Sequence, residues 1–177
     1  MSALTNAWTE EKIRSLIRKL DEKTGLNGAS LPIRLIDRGE TLGYYYYDGE
    51  KYFRFLPAFL NDPGLEEAAA VDTIRHEYAH YYVDATGLGR YFGEKLHGHG
   101  KAWKLACRLL GVVPKARHDP GDFRDVKWSR KEAKAAYNAE DVAAFDIREY
   151  LKMQGLPARL SKEGSSRGRR SRYERTA

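Results

Sequence analysis

Cysteine is almost missing from this 177-residue chain, where Cys107 stands alone. A single thiol excludes an intrachain disulfide and a four-cysteine zinc ribbon, and it argues against a small secreted scaffold held by cross-links. Long apolar runs are missing too. Nothing approaches the roughly 20 apolar residues that span a bilayer. The stretch MSALTNAWTEEKIR carries no apolar block of the signal-peptide kind, so the expectation is a soluble, intracellular protein. No internal repeat is visible. What is present suffices for a core, with 42% hydrophobic and 12% aromatic residues in a chain of ordinary one-domain length. A chain of this size buries about 70% of its unfolded surface on folding.

The formal net charge of +6 is unevenly placed. Residues 157–177 hold seven Arg or Lys against two Glu, which leaves 24 basic and 23 acidic residues in the preceding 156. The segment SKEGSSRGRRSRYERTA has no apolar periodicity and reads as a basic, disordered tail. Its arginines Arg167, Arg169, Arg170 and Arg172 are candidate phosphate contacts, of the salt-sensitive kind that reads no sequence.

Ile13, Leu16, Ile17 and Leu20 recur at helical spacing after Thr9, and predict a helix from about Glu10 to Lys23 with Gly25 as its stop. Leu31 to Gly39 alternates like a strand. TLGYYYYDGEKYFRFLP reads as two strands turning at Asp48-Gly49, within a small antiparallel or mixed sheet. Pro63, Glu66 and Glu67 suit the start of a helix running from about Leu65 to Asp84. Five glycines between Thr86 and Gly100 predict a loop, and a further helix spans Gly100 to Leu110, closed by Gly111. Beyond the loop at Asp119-Pro120-Gly121, the capping pair Ser129 and Glu132 opens a helical stretch reaching Met153, before Gly155 and Pro157. The fold class expected is α+β, divided into a core over residues 1–125, a helical extension over 126–156 and the tail over 157–177.

The chemistry lies in HEYAH, His76 to His80, inside the second long predicted helix. Residues four apart are rotated by about 40° and separated by about 6 Å of rise, so both imidazoles can reach one ion. Zinc held by three protein ligands keeps a position for water and lowers its pKa toward neutrality. Glu77, one residue after the first histidine, is placed to take that proton. This pattern points to metal-assisted hydrolysis of an amide.

A third ligand must come from elsewhere, and HGHGKAWK (His97 to Lys104) supplies candidates. His99 sits where the next helix begins, with Trp103 one turn later to pack beside it. His97 lies inside the Gly-rich stretch, and Glu94 is the remaining candidate. Asp72 and Asp84, four residues before His76 and four after His80, share the ligand face and are candidates to orient an imidazole. Tyr91 is a candidate hydrogen-bond donor to a developing oxyanion. Tyr44 to Tyr47 alternate across two strand faces. If their strand is the sheet edge, its backbone can pair with an extended polypeptide. Cys107 and His118 read as a core residue and a loop residue.

HEYAH, followed 19 residues after His80 by HGKAWK and then LACRLLGVVPKARH, resembles the SprT-like (Spartan-type) zinc metalloproteases. That family pairs HExxH with a later HGxxW or HGxxF, matched here by His99, Gly100 and Trp103. LGYYYYDGEKYFRFLPAFL looks like its strand pair ahead of the active-site helix, and the resemblance covers roughly Trp8 to His118. It implies a minimal zincin-type core with one catalytic zinc on His76, His80 and His99, and Glu77 as catalytic base. The protein substrate it implies is crosslinked or tightly bound to DNA, with nucleic acid as partner and a cytoplasmic or nucleoid-associated setting. The zinc ribbon with which many relatives grip DNA is excluded by the cysteine count. Any grip therefore falls to the tail, to Lys101, Lys104 and Arg108, or to Lys127, Arg130, Lys131 and Lys134. The same residues would also serve a DNA-associated zinc-binding adaptor, or a regulatory peptidase cutting one partner.

Overall fold

The computed structural model describes residues 7–39, 41–65, 67–112, 114 and 147–155. The first helix, α1 (Glu10–Thr24), starts where Thr9 accepts the Lys12 N–H on its side chain. It ends at Gly25, whose φ of 73° closes the last turn through an N–H to Asp21 O. Its apolar stripe of Ile13, Ile17 and Leu20 is buried, as the helical spacing predicts.

A short 3-10 helix (Gly28–Ser30) leads into a three-stranded sheet. Its strands are β1 (Ile33–Leu35), β2 (Gly43–Tyr46) and β3 (Tyr52–Phe55), in the order β1-β3-β2. The turn at Gly49 has φ 79°, and β2 pairs antiparallel with β3 as Asp48-Gly49 predicts. β1 runs parallel to β3, so the sheet is mixed, and among the described residues β2 is an edge strand. Tyr45, Phe53 and Phe55 turn inward and are almost wholly buried. Tyr44, Tyr46, Tyr52, Arg34 and Arg54 lie on the other face, where the Arg34 guanidinium sits 3.8 Å from the Tyr52 ring centre.

After a single turn, α2 (Pro57–Leu60), comes the central helix α3 (Glu67–Thr86). It packs against α1, β2 and the helices that follow. That setting explains the burial around most of its circumference, from Ala70 and Ile74 to Tyr78, Ala79, Tyr82 and Val83. The stretch from Thr86 to Gly100, expected to be a loop throughout, contains α4 (Leu88–Tyr91). Two of its glycines serve packing rather than flexibility. Gly87, at φ 69°, breaks α3 and lets the chain restart, while a side chain at Gly89 would press on Val83 Cγ1 at 3.0 Å. Leu88, fully buried, anchors the turn.

Helix α5 (Lys101–Leu110) ends at Gly111 with φ 69°. The last described helix, α6 (Ile147–Met153), ends before Gly155, at φ 67°. Its Tyr150 donates to Thr86 O at 3.0 Å, tying it to the end of α3. The architecture is α+β. His118, the loop at 119–121, the start of the helical extension and the tail with Arg167, Arg169, Arg170 and Arg172 lie outside the described residues. No described helix is long and apolar enough to cross a membrane.

Candidate metal centre

α3 brings His76 and His80 onto one face, and the chain just ahead of α5 brings His99 to meet them. The three rings form a near-equilateral triangle, with centres 5.2 Å apart for His76–His80 and His76–His99 and 5.0 Å for His80–His99. One nitrogen from each lies within 4.8 Å of the others, so the three can hold a metal ion. His76 Nε2 and His99 Nε2 are 3.2 Å apart. Two ligand nitrogens on a tetrahedral ion, each at 2.0–2.1 Å, are separated by about 3.4 Å, so the donor set fits such an ion.

The cluster is prepared from behind. His80 Nδ1 is 3.2 Å from Leu96 O. A carbonyl only accepts, so Nδ1 carries the proton and Nε2 keeps its lone pair for a metal. Burial, helped by the neighbouring His99, lowers the His80 pKa to about 3, which keeps that lone pair open through the neutral range. Trp103, 1% exposed, lies against all three rings at 4.6–5.7 Å between centres. Its indole N–H has no partner among the described residues.

His99 is held in place through Glu94. The Glu94 carboxylate accepts the N–H of Lys101 at 2.7 Å and of Ala102 at 3.0 Å, capping α5 from seven residues upstream. A Cβ on Gly100 would fall 2.5 Å from that carboxylate, which is why glycine follows His99. With both oxygens on the helix end, Glu94 acts as a cap, and His99 is the third member of the cluster. His97 lies to one side. Its Nε2 is 2.9 Å from the Tyr44 hydroxyl, and its ring packs 4.1 Å from Tyr47 and 6.4 Å from His80 between centres.

Glu77, one position along α3, reaches β2. Only 7% exposed, it accepts the Tyr45 N–H on Oε2 at 2.9 Å. Burial pushes its carboxyl up to about 8, against the opposing pull of that N–H and of the Arg54 guanidinium. Gly43 makes room for it, since a Cβ there would lie 2.8 Å from Glu77 Cγ.

The remaining sequence candidates are distributed as follows. Asp84 Oδ2 accepts the Tyr45 hydroxyl at 2.7 Å and Lys51 Nζ at 2.6 Å, so its hydrogen bonds run to the sheet. Asp72 lies 3.9 Å from Arg75 and, after burial, adds to the upward push on the Cys107 thiol. Tyr91 is 57% exposed, with its ring against Phe92 and Tyr150. Sequence reasoning missed the Glu94 cap, the Leu96 carbonyl and the Tyr45 amide. The first two lie in the Gly-rich segment, and the third is a backbone group that no residue type advertises. No family model, curated protein or solved structure matches this chain.

Proposed function

We propose that this chain is a zinc-dependent endopeptidase with a minimal zincin-type core, of the SprT-like kind its motifs resemble. One observation carries the reading. A buried carboxylate stands one residue from a three-imidazole cluster, its Oε2 accepting the amide N–H of the edge strand β2. His76, His80 and His99 would hold the zinc, which would supply a Lewis acid and lower the pKa of water at the site. Glu77 would accept the proton of the attacking water and pass it to the leaving amine, the work of a general base and then a general acid. The Leu96 carbonyl holds the His80 tautomer, and Trp103 packs against the three imidazoles. β2 stands beside the base, and an extended, flexible polypeptide pairing with its edge would meet Tyr45 with its amide already held by Glu77.

The narrower substrate class, proteins bound or crosslinked to DNA, is supported by the motif resemblance and by the Arg-rich residues 157–177. The test is casein cleavage by zinc-loaded wild type and Glu77→Gln, with and without single-stranded DNA, with zinc content measured on both. We expect Glu77→Gln to keep one zinc per chain and to lose about 10²- to 10⁴-fold in rate. DNA is expected to raise the wild-type rate, and high salt to cancel that gain. Wild-type rates from Glu77→Gln would overturn the mechanism. Indifference to DNA would remove the DNA-bound substrate class and leave the peptidase standing.

A further inference from the structure

The outer edge of β2, which no described strand pairs with, is not bare. The Leu56 N–H donates to Leu42 O across the β2–β3 pair. Alternation along an antiparallel ladder then puts Tyr44 and Tyr46 in hydrogen-bonded pairs with Arg54 and Tyr52. The Tyr45 N–H therefore points outward, to the unpaired side, where an edge amide would ordinarily meet water. Here it meets Glu77 Oε2 at 2.9 Å, while Oε1 has no hydrogen-bond partner among the described residues.

The other end of Tyr45 is held by the same helix. Its hydroxyl donates to Asp84 Oδ2 at 2.7 Å, and Asp84 follows Glu77 by seven residues. Seven residues make nearly two turns, so both carboxylates project on one face of α3, about 10 Å apart along its axis. The Tyr45 ring lies between these contacts, packed on Phe53 and Tyr81 at 5.4 and 5.7 Å between centres. Packing alone would be met by phenylalanine. A buried hydroxyl costs desolvation unless it is bonded, and the bond it makes sets where the backbone of residue 45 sits against α3.

We infer that Tyr45 is a positioning residue for Glu77: held at its hydroxyl by Asp84, it presents its amide to one carboxylate oxygen and leaves the other to exchange the proton. The inference rests on the reading of Glu77 as the general base. Its geometric half stands independently of any activity.

The test combines amide hydrogen exchange at residue 45, followed by NMR on metal-free protein, with kcat and KM on fluorescein-labelled casein for the zinc-loaded form. The variants are Tyr45→Phe, Asp84→Ala and Asp84→Asn, with Lys51→Ala as control. Exchange at residue 45 is expected to quicken tenfold or more in Tyr45→Phe and Asp84→Ala, while the ladder amides of Tyr44 and Tyr46 stay protected. In the same two variants kcat falls tenfold or more, KM moves less than twofold and zinc remains stoichiometric. Asp84→Asn keeps an acceptor for the phenol and restores both readouts, and Lys51→Ala leaves both at wild-type values. Equal acceleration of the Tyr44 and Tyr46 amides would mark a merely structural role and overturn the inference. So would unchanged exchange at residue 45, or failure of Asp84→Asn to rescue. Absence of casein cleavage by zinc-loaded wild type would instead strike the peptidase reading, and exchange at residue 45 would still decide whether the clamp exists.

Discussion

Glu77 occupies a place where a carboxylate is expensive to keep charged. Its carboxyl titrates near 8 in the metal-free fold, against an ordinary 4.5. Between those pH values the folded protein holds a proton that the unfolded chain has released. The stability linked to this group is full below about pH 4.5 and drains away as pH rises through about 8. Glu77→Gln carries no such proton. In metal-free protein at pH 5 the variant should therefore unfold in urea much as wild type does. By pH 9 it should be more stable by an amount on the order of a few kcal/mol. A stability difference that does not change between pH 5 and 9 would contradict the burial argument. HEYAH was legible at this scale because four-residue spacing on a helix is a local property. The Tyr45 amide was not, since it reaches Glu77 across 32 positions of sequence and belongs to the backbone.

Among elements, α5 shows how a loop residue can govern a candidate ligand. Gly100 stands at its N-cap without a side chain to offer, and Glu94 supplies both hydrogen bonds instead. Glu94→Ala removes the cap and should destabilise the protein by about 1–2 kcal/mol. It should also weaken zinc binding, because His99 sits directly before Gly100. Glu94→Gln keeps one acceptor oxygen and should lie between the two. Urea titration and a competition assay for zinc check both effects, and undiminished zinc affinity in Glu94→Ala would show that His99 is held by other means. The bounds of α1 and α5 were readable from Thr9, Gly25 and Gly111, residues whose backbone preferences act within one turn. α4 was hidden because its glycines, which permit a break at Gly87 and close packing at Gly89, have the composition of a flexible loop. The parallel pairing of β1 with β3 was hidden too. Strand alternation says which face a residue takes, but nothing about which neighbour lies beside it.

At the scale of the whole molecule, an ion on the histidine cluster would close a circuit that no disulfide can close. His76 and His80 belong to α3 and His99 to the chain entering α5, so an ion held by all three fastens the central helix to the segment behind it. An ion that binds only the folded chain stabilises it by mass action, by about 2.7 kcal/mol when free metal stands at a hundred times its dissociation constant. For a protein of this size that corresponds to a rise of several degrees in Tm. Zinc added to metal-free wild type should produce this rise. The rise should survive in Glu77→Gln, whose replaced carboxyl is not one of the three ligands. His97→Ala should retain most of it, since His97 contacts Tyr44 and Tyr47 at the rim, and His99→Ala should lose most of it. Thermal scans of the four proteins at matched free zinc make the comparison. A zinc-dependent rise in His99→Ala equal to that of wild type would dissolve the circuit, and with it the assignment of the third ligand.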